Sequence, residues 1–200
     1  MYKNIIFDIG NVLVSFRWRE LMGDLGFSPE CIATLTENMV HHPLWDELDM
    51  GIRPHHEIIS DMKPLSPMYA GQIDSFFENI GCVVCRQPHS AAWLSGLKDR
   101  GLGVYLLSNY PDWMFELHSK DFDFLPYADG MVVSSHVHLM KPDPKIYRLI
   151  LEKYSLRAEE CVFIDDRAEN CAAAEDVGIR SIVFTGAEQA QSELEALLNT

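Results

Sequence analysis

The sequence predicts an α/β domain built around a parallel sheet of five strands, and three observations carry that expectation. Short apolar runs recur along the 200-residue chain. Most are followed by helical patterns of about 10–15 residues, the alternation that βα units produce. Three of the five runs lead directly into residues with chemical capacity: Asp8, Ser108-Asn109 and Asp165-Asp166.

The first run, Ile5-Ile6-Phe7, reads as a buried strand with Asp8 at its end. Gly10 and Asn11 follow at once, residue types that accept a tight turn or a positive φ. Residues 16–26 pattern as a short helix closed by Gly26. Ser28-Pro29-Glu30 opens another, with Ser as N-cap and Pro at the first helical position. From there to about residue 80 the periodicity stays helical, without a convincing strand. Pro43, Gly51-Ile52-Arg53-Pro54, Pro64 and Pro67 divide it into three or four helices. The expected organisation is therefore a core of residues 1–15 and 86–200, interrupted by an α-helical insertion over 16–85.

Beyond the insertion, Pro88 to Arg100 predicts a helix with Gly101 as its C-cap. Val104-Tyr105-Leu106-Leu107 is the second strand and runs into Ser108-Asn109. A helical stretch over 111–119 and an irregular aromatic passage precede Met131-Val132-Val133, the third strand. His136 and His138 then alternate in a segment read as extended, and Pro142 to Tyr154 as a helix. Cys161-Val162-Phe163-Ile164 is the fourth strand, followed by a helix over Ala168 to Val177 that stops at Gly178. Ser181-Ile182-Val183-Phe184 is the fifth, and residues 187–198 form a last amphipathic helix.

Composition narrows the function. The chain is 48% apolar and 23% charged, ordinary for a protein with a substantial core, and carries a net charge of −14. That balance argues against nucleic-acid or anionic-membrane partners, which need basic surface. No apolar stretch approaches the roughly 20 residues that cross a bilayer. The first apolar run is broken by Asp8 and Gly10 and has no cleavable small-residue site, so no export signal is expected. Five cysteines without framework spacing suggest free thiols in a reducing cytoplasm. The expected oligomeric state is a monomer or homodimer.

In a parallel sheet the carboxyl ends of the strands share one edge, where open α/β folds place ligands. Asp8, Asp165 and Asp166 would bring three like charges there, which calls for a counter-ion. An all-oxygen set suits Mg²⁺. Ser108 and Asn109 offer a hydroxyl, an amide and backbone N–H groups suited to a phosphoryl oxygen. Lys141, in Leu139-Met140-Lys141-Pro142-Asp143-Pro144, supplies a point charge held by the following proline. A nucleophile, a metal and a cationic clamp are the parts of phosphoryl transfer, whose barrier is governed by positioning and charge stabilisation.

At these residues the chain resembles the haloacid dehalogenase superfamily of hydrolases. Four motifs match in order: Phe7-Asp8-Ile9-Gly10-Asn11-Val12, Leu107-Ser108-Asn109, Lys141-Pro142-Asp143-Pro144 and Phe163-Ile164-Asp165-Asp166. The resemblance implies a three-layer Rossmann-like core, with the 16–85 insertion as an α-helical cap over the substrate. The branch it is most similar to contains glucose-1-phosphate-type phosphatases and the phosphatase domain of soluble epoxide hydrolases. It implies that Asp8 forms an aspartyl-phosphate, that Ser108 and Asn109 hold phosphate oxygens, and that Lys141 bridges phosphate and Asp8. It further implies Mg²⁺ bound by Asp166, an Asp8 oxygen and the Gly10 carbonyl, with Asp165 ligating directly or from behind. The expected substrate is a small, sugar-like phosphorylated metabolite.

One position departs from the pattern. Most phosphatases of the superfamily carry a second Asp two residues after the nucleophile, as the acid for the leaving oxygen; here it is Gly10. Such an acid is typically worth about 10²–10⁴-fold in rate. A good leaving group, or an acid from the cap, would answer the gap. Two other readings share Gly10: a 2-haloacid dehalogenase, which has no use for an acidic pair at the fourth motif, and a binding protein that has lost turnover.

Other features have plainer readings. His41-His42 and His55-His56 lie in the insertion; one of them reaching the site as a proton donor is the functional alternative to a surface role. His136 and His138 are read as surface residues, and Trp45 as core within reach of a substrate. Cys82-Val-Val-Cys85 has redox spacing but lacks its βα context, and reads as two buried thiols.

Overall fold

The structure is a computed structural model that describes residues 1–199. Its centre is a five-stranded sheet: β1 (Asn4–Phe7), β4 (Gly103–Ser108), β5 (Gly130–Val133), β6 (Cys161–Asp165) and β7 (Arg180–Val183). The strand order is β5-β4-β1-β6-β7 and every pairing is parallel. Two further strands, β2 (Val14–Phe16) and β3 (Val84–Arg86), pair antiparallel as a separate ribbon.

The three-layer arrangement follows from period-two alternation. Along β1, Ile5 and Phe7 join one apolar cluster while Ile6 joins another; Leu106 and Leu107 divide the same way on β4, as do Val162 and Phe163 on β6. Helices cover both faces, so the strands read as continuous apolar runs. Phe7 meets Trp93 edge-on at 4.9 Å on one side, and Phe163 meets Tyr147 at 5.6 Å on the other.

Helices α1 (Trp18–Asp24), α2 (Pro29–Leu35), α3 (Pro43–Met50), α4 (His55–Met62) and α5 (Ala70–Glu78) lie between the two ribbon strands. Ser28 caps α2 by accepting a hydrogen bond from the Cys31 N–H, with Pro29 behind it. Gly51 closes α3 in the left-handed conformation. The core helices are α6 (Ser90–Asp99), α7 (Asp112–His118), α8 (Ser134–Val137), α9 (Pro144–Lys153), α10 (Ala168–Asp176) and α11 (Ala187–Leu198).

Four expectations need correction. The ribbon was not foreseen: its strands are three residues long, too short to establish a period. The segment bearing His136 is not extended but a turn of helix, α8, and His138 after it takes φ 53°. The helix after Lys141 begins at Pro144 rather than Pro142, because the Asp143 side chain accepts from the Lys145 N–H and sets the cap there. Cys82 and Cys85 are exposed, not buried. Cys82 lies just before the ribbon strand β3 and Cys85 within it.

Candidate active site

The strand ends do converge. β1 delivers Asp8, β4 delivers Ser108 and Asn109, β6 delivers Asp165 and Asp166, and the loop after α8 delivers Lys141. Carboxylate oxygens of Asp8, Asp165 and Asp166 all lie within 4.8 Å of one another, a set that could hold a metal ion. The edge is also where the chain order reverses about β1, with β4 on one side and β6 on the other.

Lys141 is the electrostatic centre. Its ammonium lies 2.8 Å from Asp8 and 2.6 Å from Asp165 and is almost wholly buried. Burial alone would lower its pKa, but the two carboxylates outweigh burial and raise it. Asp8 is held up to about 7, first by burial and then by Asp165 and Asp166, with Lys141 pulling the other way. Burial also raises Asp166, against a hydrogen bond from Asn11. Three carboxylates against one cation leave the cluster short of positive charge.

Asp165 differs from the other two. It is fully buried, and both its oxygens are engaged: Oδ2 by Lys141, Oδ1 by the Arg167 N–H at 2.8 Å, and both by the Asn170 amide at 2.9 and 3.1 Å. Asp8 and Asp166 instead face a cavity, together with Gly10. The Oδ1 of Asn170 is buried without a hydrogen-bond partner beside them, an acceptor available to a metal-bound water. The donor chemistry therefore fits a hard cation.

The second motif is arranged differently from its simplest reading. The Asn109 side chain is clamped onto the Lys141 main chain, donating to its carbonyl at 2.9 Å and accepting from its N–H at 2.8 Å. Asn109 still lines the cavity, whereas Ser108 is buried at the strand end.

The turn expected at Gly10-Asn11 is made by the second of the two, and several residues not singled out from sequence join it at the site. Asn11, rather than Gly10, takes the positive φ of 55°. Its amide donates to Asp166 at 3.1 Å and its oxygen accepts from the Phe16 N–H, which ties the first loop to β6 and to the ribbon. Asp49 of α3, Arg167 and Tyr110 also line the cavity, with Val14, Phe16, Trp45, Val84, Pro111 and Met114 as its apolar wall. Adjacency to the fourth motif could have flagged Arg167, whereas Asn11 lies within the first. Nothing local flags Asp49.

None of the histidines set aside earlier lines this cavity. His42 caps α3 by accepting from the Leu44 N–H, His41 pairs with Glu37, and His55 stacks on Trp113 at 4.3 Å. His136 pairs with Asp112 and His138 hydrogen-bonds the Met50 carbonyl.

Comparison with known proteins bears directly on this arrangement. A family model described as haloacid dehalogenase-like hydrolase matches residues 2–178. The chain belongs to that family. Among its relatives, this haloacid dehalogenase-like hydrolase is 28% identical to a sesquiterpene phosphatase of Aspergillus oryzae, over 98% of this chain and 97% of that one. It is 26% identical to a drimenol cyclase of Aspergillus calidoustus, of which it covers 36%. Its fold matches a Porphyromonas gingivalis structure described as a predicted hydrolase of the same family, with TM-score 0.79, 21% identity and essentially full coverage of both chains. A Bacteroides thetaiotaomicron family enzyme solved with magnesium and inorganic phosphate matches with TM-score 0.69 and 22% identity, over 91% of this chain and 93% of that one. Among the described residues no helix is long and apolar enough to cross a membrane.

Proposed function

We propose that the protein is a Mg²⁺-dependent phosphomonoester hydrolase that works through an aspartyl-phosphate on Asp8. The observation that carries this reading is the placement of Asp8 on the cavity wall, with Lys141 at 2.8 Å and Asp166 alongside. Asp8 attacks phosphorus, and water then releases phosphate from the acyl phosphate. Lys141 keeps the Asp8 carboxylate available at neutral pH and meets the charge of the phosphoryl oxygens. Asp165 aims Lys141, since its own oxygens are already taken. Asp8, Asp166 and the Gly10 carbonyl are the residues that would hold Mg²⁺, with Asp165 behind them. The cation would supply charge neutralisation on the phosphoryl group. Asn109, clamped to Lys141, fixes the two motifs in register, and its own backbone N–H would meet a phosphate oxygen, with Ser108 behind.

Residues 16–85 serve as the cap in this reading, since α3 and the ribbon supply Trp45, Asp49, Phe16 and Val84 to the cavity. Trp45 packs on Phe16 at 5.9 Å and on Phe77 at 6.0 Å, so this wall is a braced aromatic surface. Sugar hydroxyls turned towards Phe16, Trp45 and Val84 would find few partners, and unpaired polar groups are costly. The wall favours the phosphate ester of an alcohol with substantial apolar surface, and the kinship with a named sesquiterpene phosphatase supports that choice. The five free cysteines fit a reducing cytoplasm.

The test is phosphate release from a panel of prenyl, alkyl and sugar monophosphates. Turnover should need Mg²⁺, stop with EDTA and vanish in Asp8→Asn. Metal-independent halide release from 2-haloacids would instead support the dehalogenase reading, and ligand binding without any turnover the impaired one.

A further inference from the structure

Departure of an alkoxide from phosphorus requires a proton, and the position two residues beyond Asp8 is Gly10, which has none to give. We infer that Asp49, carried into the cavity by the end of α3, is the general acid that protonates the leaving oxygen. This rests on the phosphohydrolase reading above.

The geometry begins with how firmly that helix end is held. Three successive residues of α3 and its cap dock on the core. The Asp49 carbonyl accepts a hydrogen bond from the Ser134 hydroxyl, 85 residues away, and the Met50 carbonyl pairs with the His138 ring at 2.9 Å. At Gly51 the backbone comes so close that an added Cβ would meet Ser135 at 2.9 Å. Ser134 also accepts from the Tyr110 N–H at 2.9 Å, so one hydroxyl ties α3 to the loop after β4. The end of α3 is thereby held so that Asp49 lines the same cavity that Asp8 faces.

Among the other cavity-lining groups, Lys141 and Arg167 are committed cations, Lys141 to Asp8 and Asp165 and Arg167 to Glu169. Asp8 is the nucleophile and Asp166 a metal ligand. The Tyr110 hydroxyl is engaged with His118 at 2.8 Å. Asp46, on the same helix, is exposed and is not among the lining residues. Asp49 is left as the acid. Its environment agrees: burial first, then the Asp46 and Asp8 carboxylates, hold its carboxyl up to about 8 against Lys141 and Arg167, so it carries its proton at neutral pH.

In the step, the Asp8 oxygen bonds to phosphorus while the bond from phosphorus to the alcohol oxygen breaks. The electron pair goes to that oxygen, which takes the Asp49 proton and leaves as alcohol. In the second step Asp49 accepts a proton from the attacking water, which restores both carboxyl groups to their starting states.

The test compares leaving groups. An amide copies the shape and charge of a protonated carboxyl but has no proton to transfer, so Asp49→Asn isolates the acid. The expected result is a loss of about 10²–10⁴-fold in kcat on an alkyl phosphate, with only a small part of that loss on 4-nitrophenyl phosphate, whose phenolate departs unaided. Asp49→Glu compared with Asp49→Gln gives the same readout if the Asn variant does not fold. Equal losses on both esters, or an unchanged alkyl rate, would overturn the inference. Wild-type turnover of 4-nitrophenyl phosphate, and its absence in Asp8→Asn, reports separately on the parent reading.

Discussion

Replacing Lys141 by Met tests the electrostatic frame most severely. The side chain is 1% exposed and bridges Asp8 and Asp165 at 2.8 and 2.6 Å. Met keeps the aliphatic stem but leaves two buried carboxylates without their cation. Breaking a buried pair from one side costs about 3–5 kcal/mol. In a chain of this size each kcal/mol shifts Tm by roughly 2–4 °C, so the variant should melt about 6–20 °C lower. Lys141 is also the cation that pulls the Asp8 pKa down against burial, Asp165 and Asp166, so its loss favours the protonated, non-nucleophilic carboxyl. Thermal unfolding of metal-free protein, with phosphate release on the Mg²⁺-loaded enzyme, measures both effects. A Tm within about 2 °C of wild type together with retained turnover would refute the reasoning, since neither outcome is compatible with Lys141 as the compensating charge.

Three further outcomes follow from the same geometry. Metal-free protein should lose stability as pH rises from about 4 towards 8. Asp8 and Asp49 have folded-state values of about 7 and about 8, above their unfolded ones, so the folded state binds protons that the unfolded chain has released. Denaturant titrations at pH 5 and pH 8 in EDTA measure this, and a rise in stability with pH would contradict it. Ser134→Ala removes the hydroxyl shared by Tyr110 and Asp49, and should cost about 1–3 kcal/mol by chemical denaturation while weakening turnover of alkyl phosphates. Gly10→Asp should fold normally, because a Cβ there meets nothing within 4 Å, and in the Asp49→Asn background it should recover part of the lost alkyl-phosphate turnover in a steady-state assay.

How far the sequence announced this arrangement depends on whether a feature is local. The inner sheet strands were legible because they are buried on both faces, which makes them continuous apolar runs such as Val104-Tyr105-Leu106-Leu107, and the more exposed edge strand β7 showed as the short run Ile182-Val183-Phe184. Their chemical termini were legible too, since a parallel sheet puts all carboxyl ends on one edge. The β2–β3 ribbon was not, because Val14–Phe16 and Val84–Arg86 are short and define each other only by pairing. Ser134–Val137 contains no strong helix former; its single turn is fixed by docking against α3. Asp49 was invisible for the same reason. In sequence it is one acidic residue on a helix, and only the docking of that helix end on Ser134, Ser135 and His138 brings it to the cavity that Asp8 lines. The four motifs fix what the cluster holds, while the tertiary docking of α3 fixes what stands opposite it.

The stereochemical course at phosphorus tests the claim about Asp8 most directly. Hydrolysis of a phosphorothioate monoester made chiral with two oxygen isotopes, in water of the third, passes through two in-line displacements if Asp8 is phosphorylated. The account predicts net retention of configuration. Net inversion, the signature of one direct attack by water, would contradict it.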